Sequence, residues 1–491
     1  MAISLPTPLV GDDREVPCID GTSRRYLNLD GAASTNALPS VAERVYDFVP
    51  WYSSVHRGAG YKSRAATDAY EQARAAFLRF ARRRSDRDVA IICRNTTEAI
   101  NHLAYRLRLT ADDVVATTVV EHHANLLPWA RFARRRFVEC TPDGTFDSDD
   151  VAAVLDATPR PKLLAITGAS NVTGWMPALS EITAAAHDRD IPVFVDAAQL
   201  APHRAIPPDA DYVAWSGHKM YAPFGAGALV GPRSTFDHGD PFLAGGGAVD
   251  LVDLDEVVWT EPPEREEAGS PNVIGAVALH AAIDALDGVG WPSVEGHDDE
   301  LATRLRTGLA TIPGITLLGP PTDTAVLPIA TFTVDGMHHA LVAARLSAEH
   351  GIGVRHGCFC AHPYLMRLLQ LTDAEVDDYR DAVLRGDRRS MPGAIRASAT
   401  IATTRSDVER VPTRAEEVEV AGSAVHVDGD RAPAHDVGEF RAGALERHDQ
   451  LLGRRDVVLE LVVPSLGIAV LGGGAVGGFS RGRDRGLRRG E

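Results

Sequence analysis

Lys62, Lys162 and Lys219 are the only lysines in the 491-residue chain, and Lys219 stands in a setting suited to covalent chemistry. In SGHKMYAPFGAGAL, residues 216–229, the amine follows an apolar strand and a short polar turn and precedes a glycine-rich return. A lysine so placed can form an imine with an aldehyde cofactor, while Ser216 and His218 can hydrogen-bond a phosphate. Taken alone, such a lysine is more often a solvated surface residue; its company changes the odds. Just upstream, VDAAQ sets Asp196 at the end of the apolar run IPVFVD. A carboxylate there can keep a pyridine nitrogen protonated, which makes the ring an electron sink. Gln199, and Asn171 in ASNVTG, could hydrogen-bond an oxygen on such a ring, although an Asn after a strand is commonly a turn former. ICRNTTEAIN ends a strand at Arg94 and opens a helix at Thr96 and Thr97, whose free amides and hydroxyl could cradle a phosphate or simply cap the helix. In VEHHANLLPW, either His122 or His123 could stack on a flat heteroaromatic ring and move protons.

Two of the five cysteines lie close together in VRHGCFCAHPY, residues 354–364. Cys358 and Cys360 could be small buried residues of a strand, the commonest fate of a free cysteine. His356, Cys358, Cys360 and His362 alternate, but on an extended strand such side chains stand about 6–7 Å apart and point in parallel. Four of them cannot converge on a tetrahedral ion without a bend, so no metal site is expected.

These residues need a rigid frame. VAIIC, DVVATTVV, KLLAIT, IPVFVD, YVAWS and GALVG read as strands alternating with longer helical runs, as in a mostly parallel sheet covered by helices. Their C-terminal ends run into polar or glycine-containing turns, the edge where open α/β sheets bind ligands. TDAYEQARAAFLRFARRR has helical spacing, with Thr67 or Asp68 as its N-cap. Downstream, helical segments alternate with TAVLPIATFTV and GIGVRHGCFC, the pattern of a smaller α+β domain. The expected organisation is an N-terminal arm of the small domain (residues 1–25), a large domain (26–276), the small C-terminal domain (277–412), and a low-complexity, disordered tail (413–491).

A chain of 491 residues exceeds one compact core, and its 45 % apolar content is ordinary for a globular protein. A net charge of -17 argues against binding nucleic-acid phosphates or an anionic membrane. Few, mostly scattered cysteines fit a reducing compartment, and the first residues lack a basic start followed by a sustained apolar run, so a cytoplasmic location is expected.

In the order TTEA, EHHAN, ASNVTG, VDAAQ, SGHK, the chain resembles the class V aminotransferase family of fold-type I pyridoxal 5'-phosphate (PLP) enzymes, and in particular the group II cysteine desulfurases. LDGAAS, SVHRGAG, the glycines at 245–247 and EAGSPN match in type and order, so the resemblance runs from residue 29 to about residue 411. It implies Lys219 as the lysine that carries PLP, His122 as the ring-stacking catalytic histidine, Asp196 at the pyridine nitrogen, and Gln199 and Asn171 at the ring oxygen. Thr97, Ser216 and His218 would bind phosphate, joined by Ser270 from the neighbouring subunit of a homodimer, where the family usually has Thr. The loop around Gly357 resembles the desulfurase active-site loop and makes Cys360 the nucleophile that takes sulfur from L-cysteine as a persulfide, leaving alanine. Cys358 and Phe359 stand where group II desulfurases usually have two histidines, and Cys-Phe-Cys is also similar to molybdenum-cofactor sulfurases. IRASATIATT, residues 395–404, resembles the segment whose arginine forks the substrate carboxylate, which assigns that role to Arg396 with support from Arg355 and Asn171. A sulfur-acceptor protein is a possible partner. The alternative activity is that of a class V aminotransferase, epimerase or C–S lyase using the same site without a persulfide.

Overall fold

The computed structural model describes residues 5–56, 58–387 and 391–411; the expected tail lies outside them. The chain divides into one unit of residues 1–376 with 392–424 and a second of residues 377–391 with 425–491. The described part of the second unit is largely the end of the helix Asp373–Leu384.

Seven strands form the main sheet of the first unit: β1 (Asp88–Cys93), β2 (Val114–Thr118), β3 (Arg134–Val138), β4 (Leu163–Thr167), β5 (Val193–Asp196), β6 (Tyr212–Ser216) and β7 (Gly227–Pro232). Their order is β1-β7-β6-β5-β4-β2-β3. Neighbours are parallel except at β7, which runs antiparallel to both β1 and β6. Alternation along the strands other than β3 sends side chains to two buried layers. Leu164 and Ile166 join one core with Val193, Val195 and Trp215, whereas Leu163 and Ala165 join another with Phe194, Ala214 and Leu229. Burial on both faces explains why these segments read as unbroken apolar runs.

Helix α1 (Tyr61–Phe80) follows Gly60 and packs against α3 (Val273–Val289). Its cap is Gly60, about two turns before the cap expected at Thr67 or Asp68. Thr67 sits inside the helix, where its Oγ1 donates to the Ser63 carbonyl at 2.9 Å and accepts from the His56 amide at 2.8 Å. Helix α2 (Thr96–Arg106) leaves the C-terminal end of β1, and its cap is Asn95, whose side chain accepts from the Glu98 amide at 3.0 Å.

A second sheet, of order β8-β9-β11-β10, is antiparallel: β8 (Ile315–Leu318), β9 (Ile329–Val334), β10 (Arg355–Gly357) and β11 (Ala394–Ser398). The beginning of the chain is woven into this region. Leu27 pairs with Ile352 in parallel register, and Asp30 bridges Ser398.

Candidate active site

The loops after β1, β2, β4, β5 and β6 gather at the C-terminal edge of the main sheet. The strand β6 ends at Ser216 and passes into one 3-10 turn, Gly217–Lys219. A Cβ at Gly217 would lie 2.9 Å from the Ala226 carbonyl and 3.0 Å from that of Ala222, so only glycine lets this loop close on its return. The His218 carbonyl accepts from the Thr35 amide at 2.8 Å and from Ser34 Oγ at 3.0 Å, and Thr35 Oγ1 accepts from the Tyr221 amide at 2.8 Å. Backbone on both sides of Lys219 is thus held by the end of the LDGAAS segment and the residue after it. Burial pushes the Lys219 ammonium down to about 8, with Asp196 opposing and Arg396 reinforcing the shift.

Asp196, last residue of β5, is buried, and desolvation raises its carboxyl above the usual range. One oxygen accepts from the Ala198 amide at 3.0 Å. The other is left for a cation, and a pyridinium N–H would offset the cost of burying this charge. Gln199 Nε2 donates to the Ala32 carbonyl and Asn171 Nδ2 to the Phe359 carbonyl, each at 2.7 Å. An amide nitrogen has two hydrogens, so each retains one for an oxygen on the ring.

At the start of α2, the Ser216 hydroxyl accepts from the Thr96 amide at 2.8 Å and lies 2.7 Å from Thr96 Oγ1. Asn95 takes the Glu98 amide, which leaves the amide of exposed Thr97 as the donor of this turn without a partner among the described residues. Positive partial charge at that helix end suits a phosphate. His218 is half-buried, and burial and the Lys219 charge depress its ring to about 4. Ser270 is exposed and makes none of the hydrogen bonds that link the other residues.

His122 follows a buried carboxylate that sequence reasoning had not used. Glu121 accepts from Thr118 Oγ1 at 2.8 Å, from the Thr167 amide at 2.9 Å and from Asn125 Nδ2 at 2.7 Å, while Asn125 Oδ1 accepts from Trp129 Nε1 at 3.1 Å. Burial lifts its carboxyl to about 8 against the pull of those donors. The network fixes the turn after β2, on the way to β3, from which His122 projects, and ties it to Thr167 at the end of β4. Burial and then the Lys219 charge push His122 down to about 3, so its ring is neutral near pH 7. Its Nδ1 accepts from the Ala124 amide at 3.0 Å, which puts the proton on Nε2.

Arg396 projects from β11 and is buried. It donates to the Asn171 carbonyl at 2.7 Å and to Asp30 at 3.3 Å, and lies 5.1 Å from the centre of the Phe359 ring. Its Nε is buried without a partner, an orphan that one oxygen of a carboxylate would satisfy. Burial lowers this guanidinium to about 10, with Asp30 opposing. Exposed Arg355 pairs with the same Asp30 at 2.9 Å. Asp30 therefore holds both predicted arginines; it lies in LDGAAS, but its charge had not been connected with them.

The strand β10 stops at Gly357, so the thiols do not lie on an extended strand as they could have done. Phe359 and Cys360 have φ of 52° and 55°, and the Ala361 amide donates to the Cys358 carbonyl at 2.9 Å. This tight turn costs about 1–3 kcal/mol for each non-glycine residue in the left-handed region. It is held by Asn171 on the Phe359 carbonyl and by the His123 amide on the Cys360 carbonyl, the latter at 2.8 Å. Cys360 is exposed on this turn, next to Phe359, whose ring faces the Arg396 guanidinium.

An amine on a two-layered sheet edge, a buried carboxylate, an anion-ready helix start and a neutral histidine together fit PLP: Asp196 for its nitrogen, Asn171 and Gln199 for its ring oxygen, Thr97, Ser216 and His218 for its phosphate. The fold and site define a fold-type I PLP enzyme. Residues 27–411 match the model of the aminotransferase class-V family, and the chain belongs to that family. It is 36% identical over 366 residues to a probable cysteine desulfurase of Halalkalibacterium halodurans, covering 72% of this chain and 88% of that one. It is likewise 36% identical over 362 residues to a cysteine desulfurase of Dickeya dadantii, covering 71% and 86%. Among solved structures, the apo cysteine desulfurase of Thermococcus onnurineus superimposes with a TM-score of 0.70 at 30% identity, covering 78% of this chain and 92% of that one. An S-sulfonic acid form of an Escherichia coli cysteine desulfurase gives 0.66 at 31% identity, with the same coverage.

Proposed function

We propose that the protein is a PLP-dependent cysteine desulfurase that converts L-cysteine and the Cys360 thiol into L-alanine and a Cys360 persulfide. The observation that carries this reading is the Cys358–Ala361 turn, which presents an exposed thiol and is held to the site by Asn171, His123 and the Phe359 ring against Arg396. PLP supplies an electron sink that lets the substrate Cα proton leave. Arg396 binds the substrate carboxylate through Nε and its neighbouring nitrogen. The Lys219 amine, depressed to about 8, is a competent base for the Cα proton near neutrality. The neutral His122 ring, with its proton held on Nε2, would be the stacking partner of the bound cofactor. The Cys360 thiolate forms a bond to the substrate sulfur as the Cβ–S bond breaks, and the carbon skeleton gains the protons that make alanine.

The family resemblance and the exposed position of Ser270 support a homodimer in which Ser270 serves the partner's phosphate site. A hairpin of Val249–Val252 with Val257–Trp259 that exposes Leu251, Val252, Leu254, Val257 and Val258 supports the same assembly. We place the enzyme in the cytoplasm, with L-cysteine as substrate and a protein as sulfur acceptor. Replacing Cys360 by Ser or Ala should abolish protein-bound sulfur while keeping the PLP absorbance. Retained sulfur transfer in that variant, or a keto acid or racemised amino acid as the product of the unaltered chain, would overturn the proposal.

A further inference from the structure

The thiol that departs from the family pattern, Cys358, is not isolated. Its sulfur lies 3.0 Å from His362 Nε2, and His362 Nδ1 lies 3.1 Å from His123 Nε2. The two imidazole planes are within 1° of parallel with centres 5.0 Å apart. Together with the short N···N contact, this is the arrangement of rings joined edge to edge through an in-plane bond.

The direction of the proton chain is fixed by backbone. The amide of His362 donates to His123 Nε2 at 3.2 Å. An amide cannot accept, so His123 Nε2 bears no proton. His362 must therefore carry its own proton on Nδ1, directed at the same acceptor, and its Nε2 is left as a base facing the Cys358 thiol. His123 is in turn tied to the other thiol, because its amide donates to the Cys360 carbonyl. Burial lowers both histidines and so keeps them in the neutral form, in which a ring nitrogen is free to act as acceptor. Cys358 is half-buried, and burial raises its thiol above the usual range, so it needs the adjacent base to lose its proton; Cys360 is exposed on the same turn.

We propose that Cys358, His362 and His123 form a second sulfur station, which takes the sulfane sulfur from Cys360 after each desulfuration and shelters it. This rests on the reading of Cys360 as the persulfide residue. In the step, His362 Nε2 accepts the Cys358 thiol proton and the Cys358 thiolate attacks the outer sulfur of the Cys360 persulfide. A new S–S bond forms, the old one breaks, and Cys360 departs as a thiolate; the transferred sulfur keeps or regains its proton from His362. No oxidant or reductant enters, since one persulfide replaces another.

The test uses the full chain loaded with PLP, mixed with L-cysteine, stopped with an alkylating agent at intervals and mapped by fragment-ion mass spectrometry that separates Cys358 from Cys360. Extra sulfur is expected first on Cys360 and then on Cys358. Removing the base, as in His362→Gln, should slow its arrival on Cys358 by about 10²-fold. Cys360→Ser should leave Cys358 without sulfur, and sulfur arriving there at the unaltered rate would overturn the proposed order. A Cys358→Ser chain, which keeps the side-chain size, provides the reference fragment pattern for sulfur on Cys360 alone. If alanine forms while sulfur stays on Cys360 at every interval, the second station is overturned and the desulfurase reading stands. If no alanine forms, both fall.

Discussion

Asp30 is the residue on which substrate recognition turns most clearly. Its carboxylate faces both Arg396 and Arg355, and its removal would leave the buried guanidinium held only by the Asn171 carbonyl and the Phe359 ring. Asp30→Asn should raise KM for L-cysteine about tenfold, a loss of about 1.4 kcal/mol in binding, measured by steady-state alanine formation. Lys219 gives a second prediction. Because burial and Arg396 depress its ammonium to about 8, the reactive neutral amine grows as pH rises toward that value and saturates beyond it. PLP loading onto cofactor-free protein, followed by absorbance, should accelerate with pH and level off above about 8. Arg396→Gln removes a repelling charge and should move that curve to higher pH. Most of the polar site was legible in the sequence because amine, carboxylate, amides and hydroxyls each sit at a strand end. Asp30 was not recognised as a positioning group because its partners, residues 355 and 396, lie far off in the chain; Glu121 has near partners in Thr118 and Asn125, but its burial and its link to Thr167 depend on the folded sheet.

Among the elements, β7 determines how the phosphate end is shaped. Gly227 pairs with Ser216 on one side and Cys93 on the other, and a Cβ there would stand 2.7 Å from the Trp215 carbonyl and 2.9 Å from the Asn95 Cα. Gly227→Ala should push the cap of α2 away from Ser216, costing about 1–3 kcal/mol of stability by denaturant titration. PLP affinity should fall as well, because the Thr97 amide moves with that cap. Six strands of the main sheet were readable from their apolar runs. The seventh, β3, was missed because its sequence RRRFV lies at the sheet edge with most side chains at least partly exposed, where charge protects against edge pairing and hides the strand signal. The turn at Phe359 and Cys360 was hidden for another reason: both adopt left-handed φ without being glycine, which no residue type announces.

For the whole molecule, assembly and folding follow from where apolar surface and chain ends fall. Leu254 is 98% exposed at the tip of the Val249–Val252 and Val257–Trp259 hairpin, a poor place for a leucine unless a second copy covers it. Leu254→Glu should shift the proposed homodimer toward monomer in light scattering at micromolar concentration, and an unchanged mass would count against this hairpin as its interface. The early segment around residues 27–35 has a different consequence. It pairs with Ile352, bridges Ser398 and clamps the His218 carbonyl, so its partners are made hundreds of residues after it. During synthesis this stretch leaves the ribosome well before its partners and must wait for the last of them until the final strand of the small sheet emerges. Competence to hold the cofactor should consequently arrive as a late event in biogenesis, and nascent chains stalled before residue 398 should remain unable to retain it.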